Sequence, residues 1–477
     1  MESRLKRIEN FIFNKMRESG LPALSLAVVK EGEIIYSRGF GQRDKASGKP
    51  ATADTLYGIG SITKSFTALA VMQLQEKNKL QLTDPVADYL DFSIEPGGET
   101  ITIEHLLAHT SGIPALAYAE AAILNSVGED IASLPIGGTE DMLTFMQESD
   151  EWWECEPGER WFYLNEGYVL LGGIIARVSG KSYQDYIREN ILDPLNMQRS
   201  YFSKEKVESD HDAAQPYLLK NGEAAAQSYL YGGITSDGGL ISNARDMANY
   251  LKLYLARLAE NKNEQNWQQE VISASSIQTM ARPQVEYPHR EIFASDLQQD
   301  NLKIFTDLDS PTSYYGLGLS IEEDFLGVRK IGHGGSVLVA TAQLSLVPAE
   351  DLGIILLANG SGYPLSQLAD YALATLMDKE PARLPAYRLE KELEELSGDY
   401  SGYQDNYQLK VTRQGNSLKL KNVNDSLGAE TTLFPQQLSA PKKTFYTITA
   451  GKRLPVEFYN RDDETILLYG RYKLKKK

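Results

Sequence analysis

Ser61 and Lys64 stand three residues apart in the stretch Leu56-Tyr57-Gly58-Ile59-Gly60-Ser61-Ile62-Thr63-Lys64-Ser65-Phe66-Thr67-Ala68-Leu69-Ala70. On one helical face, a hydroxyl and an amine at that spacing have Cβ atoms roughly 5–6 Å apart. A helix start also leaves backbone N–H groups unpaired and favours nearby negative charge. One turn of backbone would then hold a nucleophile, an amine to manage its proton and a positive field. The same spacing occurs at Ser3–Lys6, Ser203–Lys206 and Ser439–Lys442. Only Ser61 follows a Gly-x-Gly entry and opens a proline-free helical pattern, running to about Lys77 with Phe66, Leu69, Ala70 and Leu74 as its apolar stripe. Gly58 and Gly60 would let the backbone approach a ligand closely. An N-cap serine with a solvated lysine explains the same residues, so this segment alone leaves both readings open.

Acyl transfer through a serine also needs a proton acceptor, a leaving-group donor and an oxyanion site. Tyr163-Leu164-Asn165 is the only Tyr-x-Asn in a chain with 27 tyrosines, and a loop tyrosine before a helix-capping asparagine is its plain structural reading. His333-Gly334-Gly335 is the only His-x-Gly among five histidines, at the entry to a strand pattern, and a glycine-rich turn is its plain reading. His105 and His109 fall at i, i+4 on a helical pattern, but Glu104 precedes the pair, so the zinc motif His-Glu-x-x-His is absent. Helix-end packing explains them, and neither metal nor cofactor is expected. The single cysteine, Cys155, rules out an intrachain disulfide, has no redox signature and is expected to be packed or idle.

These candidates must be positioned by elements far apart in the chain. Leu5, Ile8, Phe11 and Ile12 mark an amphipathic N-terminal helix; Ala23 to Val29 and Ile34 to Phe40 form a hairpin. From about Ile101 to Ile272 the patterns are mostly helical, and Asn243 to Asp246 has capping-box spacing for a helix through Leu258. Strand patterns return at Gly316 to Ile321, Val328 to Gly332, Val339 to Val347 and Gly353 to Ala358, then a helix at Leu365 to Met377. Strands at both ends of a helical middle predict an α+β domain: an antiparallel β-sheet flanked by helices, plus a helical region. Ala115 to Cys155, with Trp152 and Trp153, and Ala281 to Ser313 are expected to line or lid its cleft. Prolines near 381–385 mark a boundary, placing domains at 1–382 and 383–477. Tyr407 to Arg413, Ser417 to Val423, Phe445 to Thr449, Pro455 to Tyr459 and Thr465 to Tyr472 alternate like short strands, which predicts a small antiparallel β-barrel. It is expected to shape access to the cleft or to mediate self-association, making a homo-oligomer one candidate partner.

Composition sets the class. The chain has 477 residues, 42% hydrophobic and 24% charged, as in a soluble globular protein. The formal net charge of -17 argues against nucleic-acid and anionic-membrane partners. No apolar run approaches the ~20 residues needed to cross a bilayer, and the N-terminus has no continuous apolar segment, so a cytoplasmic location is expected.

In this order, Ser-x-x-Lys, Tyr-x-Asn and His-x-Gly resemble the motifs of the serine β-lactamase and penicillin-binding-protein family, in the branch of class C β-lactamases, DD-peptidases, D-aminopeptidases and related esterases. The flanks Leu106 to Pro114, Gly232-Gly233 to Arg245-Asp246 and Tyr315 to Leu319 are similar to it as well, and the resemblance spans roughly residues 5 to 378. The C-terminal segment resembles the lipocalin-like barrel of some peptidase members. The resemblance implies a nucleophile at Ser61 with Lys64 and Tyr163 as its proton relay. It places His333 with the catalytic set and Asn165, Gly335 and Ser336 in substrate binding. Backbone N–H groups of Ser61 and Ser336 would form the oxyanion hole. Tyrosine near pKa ~10 and lysine near ~10.4 are poor bases at neutral pH, and lowering either by ~3 units needs roughly 4 kcal/mol. Which of them is the base stays open. The family commonly has lysine at 333, threonine at 334 and serine at 164. A neutral imidazole and a glycine hold a carboxylate poorly. The expected activity is therefore that of a peptidase or amidase (D-aminopeptidase- or carboxypeptidase-like) or an esterase, on a small-molecule or short-peptide substrate. The alternatives are a weak β-lactamase or penicillin-binding protein, or a silent ligand-binding or assembly scaffold.

Overall fold

The computed structural model describes residues 1–129, 134–147, 149–220, 223–231, 235–258, 271–287, 312–423, 430–438, 441–449, 452–462 and 464–477. Contacts divide it into one unit formed by Met1–Glu291 and Pro311–Lys379 and another that contains Glu380–Lys477.

The first unit is built on an antiparallel sheet. Its early strands are β1 (Ala23–Lys30), β2 (Glu33–Asp44) and β3 (Lys49–Pro50). Two small pairs follow, β4 (Tyr57–Gly58) with β7 (Ile241–Ser242) and β5 (Tyr217–Lys220) with β6 (Glu223–Ala226). The late strands are β8 (Val285–Tyr287), β9 (Ser313–Tyr315), β10 (Ser320–Phe325), β11 (Val328–Ser336), β12 (Thr341–Val347) and β13 (Leu352–Ala358). Among the described residues the sheet order is β3-β2-β1-β13-β12-β11-β10-β9-β8, so the first hairpin pairs with the last strand of the unit. β1 and β13 are buried along nearly their whole length, which explains why both read as unbroken apolar runs. Helix α1 (Glu2–Ser19) lies beside the last helix of the unit, which packs on β12 and β13.

The middle helices are α2 (Thr63–Glu76), α3 (Ile103–Leu107), α4 (Tyr118–Ser126), α5 (Thr139–Met146), α6 (Asn165–Ser179), α7 (Tyr183–Ile187), α8 (Lys204–Ser209), α9 (Ala244–Leu258) and α10 (Ala274–Met280). α9 packs on β1 and β13, and α2 on α6. The expected capping box of α9 is half made. Asn243 Oδ1 accepts from the N–H groups of Arg245 and Asp246, while the Asp246 carboxylate turns to the Arg199 N–H and the Ser200 hydroxyl. Helix α11 (Leu365–Leu376) closes the unit. Gly316 to Leu319 is a turn, closed by Gly316 N–H to Leu319 C=O at 2.8 Å, and β10 starts only at Ser320. The glycine-rich run after Ile331 stays in β11 to Ser336.

The second unit begins with α12 (Pro385–Leu396). Its strands are β14 (Gly398–Ser401), β15 (Gln408–Gln414), β16 (Ser417–Asn422), β17 (Glu430–Gln437), β18 (Lys442–Thr449), β19 (Lys452–Arg461), β20 (Glu464–Tyr469) and β21 (Tyr472–Lys476). They form a closed antiparallel barrel in chain order, sealed where Tyr400 and Ser401 pair with Lys476 and Lys475. The run Thr465 to Tyr472, read as one strand, is a hairpin split by Gly470 at φ 56. Helix α12 escaped the sequence reading because Pro385 looked like a break. It stands at the first helical turn, where a missing N–H costs nothing. Leu389, Leu393 and Leu396 pack into the barrel core with Leu433, Phe445 and Phe458. No described helix is long and apolar enough to cross a membrane.

Candidate active site

Ser61 lies in a 3-10 turn, Gly60–Ile62, that feeds directly into α2. It does not cap α2, whose N-cap is Ile62 with no side-chain cap bond, and Thr63 Oγ1 donates to Gly60 C=O at 2.7 Å within the turn. From Thr63 to Leu74 every residue of α2 is buried, so the expected apolar stripe is a helix covered on all sides. That disposes of the solvated lysine: Lys64 has 0% of its surface exposed. A buried ammonium is tolerated only with hydrogen-bond partners. Lys64 Nζ bonds to Ser61 Oγ at 3.3 Å, Asn165 Oδ1 at 2.7 Å and the Asp237 main-chain carbonyl at 2.8 Å.

β11 runs against the Ser61 turn, and the glycines make this possible. Gly60 takes φ 50, and a Cβ there would sit 2.8 Å from Ser336 N; a Cβ on Gly335 would sit 1.9 Å from the Ile59 carbonyl oxygen and 3.2 Å from Ser61 N. The close approach at Gly60 and Gly335 is between two backbones. It brings the N–H-bearing backbones of Ser61 and Ser336 side by side.

Tyr163 precedes α6, and its ring centroid is 4.8 Å from Lys64 Nζ. Asn165 opens α6. All three motifs therefore converge, and the His333 ring lies 6.3 Å from that of Tyr163. It is buried, its Nδ1 lies 2.6 Å from Gly334 C=O and its Nε2 2.8 Å from the Tyr315 hydroxyl. A carbonyl only accepts, so Nδ1 carries the proton and Nε2 accepts from Tyr315. Burial lowers its pKa to about 4, with the Lys64 charge adding to the effect. Both ring nitrogens are engaged, and burial keeps the imidazole neutral on β11.

Sequence reasoning read His109 as helix-end packing and gave it no part in the site. α3 ends at Leu107, and His109 sits beyond it at φ 60, off the helix that the i, i+4 pattern implied. Its carbonyl accepts from Phe162 N–H at 2.8 Å and its Nδ1 from Leu164 N–H at 3.0 Å. The two bonds clamp the backbone on either side of Tyr163, whose ring is 4.1 Å away. Burial holds His109 well below its usual pKa, so it stays neutral. The stretch Leu106 to Pro114 carried the signal, as a flank of the resemblance.

Asp237 and Glu166 were also missed. Asp237 is buried beneath Lys64, and burial raises its pKa against the pull of the Lys64 charge. Burial pushes Glu166 to about 7. Nothing in a lone Asp or Glu marks it as buried. Trp152 and Trp153 in the expected lid segment are exposed. Residues 288–311 of the other expected lid lie outside the described residues. Cys155 is buried, with its thiol pushed up by burial. No group of His, Cys, Asp and Glu among the described residues could hold a metal ion.

A helix-start serine bonded to a buried lysine, under an antiparallel strand and beside a tyrosine, defines the β-lactamase and penicillin-binding-protein class of serine hydrolase folds. Comparisons agree. The Beta-lactamase family profile matches residues 8–377, and that of the Pab87 octamerisation domain matches 381–475. The chain belongs to the β-lactamase family. The octameric penicillin-binding protein homologue from Pyrococcus abyssi is similar over 99% of this chain and 100% of that one, with 40% identity and a TM-score of 0.86. Protein flp of Staphylococcus aureus (strain MW2) is 31% identical over 255 residues, 52% of this chain and 49% of that protein. The putative penicillin-binding protein PbpX of Bacillus subtilis (strain 168) is 32% identical over 244 residues, 50% of this chain and 56% of that one. The chain spans about half the length of these two curated relatives.

Proposed function

We propose that this chain hydrolyses small amides, short peptides or esters through an acyl-enzyme on Ser61. The observation that carries the reading is the buried Lys64 amine, 3.3 Å from Ser61 Oγ. Ser61 Oγ attacks the substrate carbonyl and gives up its proton to the Lys64–Tyr163 pair. The N–H groups of Ser61 and Ser336 receive the oxyanion, Tyr163 returns a proton to the leaving group, and water then cleaves the ester at Ser61. The Lys64 cradle suits both charge states. An ammonium donates three protons; a neutral amine donates two, to Asn165 and Asp237, and turns its lone pair to the Ser61 hydroxyl. With its Oδ1 given to Lys64, Asn165 offers its amide N–H to a substrate carbonyl.

Substrates without a carboxylate at the β11 edge fit best. His333 is neutral and Gly334 has no hydroxyl, so neither provides a charge or donor for one. This favours peptidase, amidase or esterase action over β-lactam hydrolysis. A fluorophosphonate probe with intact-mass detection tests the reading: one adduct on the wild type and none on Ser61→Ala is expected. An unlabelled wild-type protein that turns over no activated ester would overturn it.

The segment matched by the octamerisation profile is proposed to join copies of this chain. Support comes from the octameric homologue and from the apolar side chains the barrel leaves exposed, Tyr403, Val423, Ile448 and Tyr472. Light scattering of the full chain tests this, and a monomer at micromolar concentration would refute it.

A further inference from the structure

Two partners of Lys64 Nζ, Asn165 and Asp237, belong to segments that one other residue holds. Asp237 gives its main-chain carbonyl to Lys64, and its carboxylate accepts from the Tyr118 hydroxyl at 2.6 Å. Asn165 gives Oδ1 to Lys64, and its neighbour Glu166 accepts from the Tyr118 backbone N–H at 3.1 Å. Tyr118 is the first residue of α4, entered through Ala117 at φ 62. Tyr118, Asp237 and Glu166 are each buried.

We propose that Tyr118 is a positioning residue for the Lys64 amine: from one helix start it ties down Asp237 and Glu166, and so fixes the two acceptors that aim Lys64 at Ser61. The inference rests on the reading of Ser61 and Lys64 as the acylating pair. Its physical basis is the charge balance of a dry site. The groups facing the Asp237 carboxylate are Lys64 of α2, Tyr118 of α4, Glu166 of α6 and Tyr183 of α7. Lys64 and the Tyr118 hydroxyl favour its charged form, and burial opposes it. Thr235 N–H supplies a further, longer bond at 3.2 Å. Without the phenol, Asp237 takes up a proton at higher pH, and a neutral Asp237 no longer balances Lys64.

The test compares the pH dependence of Ser61 acylation by a fluorophosphonate in wild type, Tyr118→Phe, Asp237→Asn and Tyr254→Phe. Tyr254 is a buried phenol of α9 that bonds Tyr250 at 3.0 Å, and its loss controls for destabilisation. Tyr118→Phe is expected to acylate about tenfold more slowly at neutral pH, with the acid limb moved up by about one pH unit. Asp237→Asn is expected to lack the part of that limb that Asp237 contributes, and Tyr254→Phe to keep the wild-type profile. A merely structural role predicts fewer labelled molecules but the wild-type limb in Tyr118→Phe, and that result overturns the proposal. A crystal structure of Tyr118→Phe gives a second readout, in which Lys64 Nζ leaves the Asp237 carbonyl. An unchanged Lys64 cradle would also overturn it. If wild-type Ser61 never labels, the acylation reading fails, and the crystal structure alone still decides the role of Tyr118.

Discussion

Around Ser61 the protein buries Lys64, Asp237, Glu166, His109 and His333, and gives most of their polar atoms a named partner. Inside the barrel it buries Leu418, Leu433, Phe445, Val456, Phe458 and Leu467, and the phenol of Tyr400 donates to Leu396 C=O. The first interior gives up folding stability to bury polar and titratable groups, and hydrogen bonds from six separate segments hold them. The second interior draws stability from non-directional apolar burial, roughly 1.5–3 kcal/mol per large side chain, and leaves its chemistry to the outer surface. A charged site therefore needs positional detail from all over the chain, whereas an apolar barrel needs little beyond alternation.

The largest effect that could break this contrast is catalytic. Tyr163→Phe removes a proton-handling hydroxyl but no packing. It should lower kcat by about 10²–10⁴-fold with KM little changed, measured on p-nitrophenyl esters; an unchanged kcat would place the proton relay elsewhere. Next in size is the barrel core. Phe458→Ala should destabilise the second unit by about 3–5 kcal/mol, read in denaturant unfolding, while single-site turnover of a small ester holds. A loss of turnover matching the loss of stability would mean the two interiors are not independent.

Glu166 gives a third, pH-dependent test. The folded protein holds its proton up to about pH 7, whereas the unfolded chain releases it near the usual carboxylate value of about 4.3. Between those values the native state binds more protons, so its stability falls as pH rises, by up to about 4 kcal/mol, and levels off above. Glu166→Gln cannot titrate and should lack that slope in melts from pH 4 to 8. An equally steep slope in the variant would remove Glu166 as its source. The smallest expected change sharpens the contrast from the other side. Ending the chain after Lys379 should abolish self-association yet alter small-ester turnover per site by less than about threefold, checked by light scattering and esterase assay. Retained oligomers would assign assembly to the first unit.

Much of this was legible because local rules decide it. The β1–β2 hairpin follows from short-range preferences and appears where alternation and turn residues put it. Ser61, Lys64, Tyr163 and Asn165 could be picked out because their order and spacing are those of a known family. Pro385 misled for the opposite reason, since a proline ends one helix and starts another, and only the barrel it plugs distinguishes the two.

The sequence by itself determined the first hairpin, the three motifs and the split between a charged, mixed region and an alternating one, because these depend on residues near each other in the chain. Tertiary structure alone decided that Lys64 is dry, that both His333 nitrogens are engaged, that His109 bonds the backbone on either side of Tyr163, and that Asp237 accepts from both Lys64 and Tyr118. Each of those facts is a matter of what surrounds a polar atom, and the surroundings come from segments tens to hundreds of residues away.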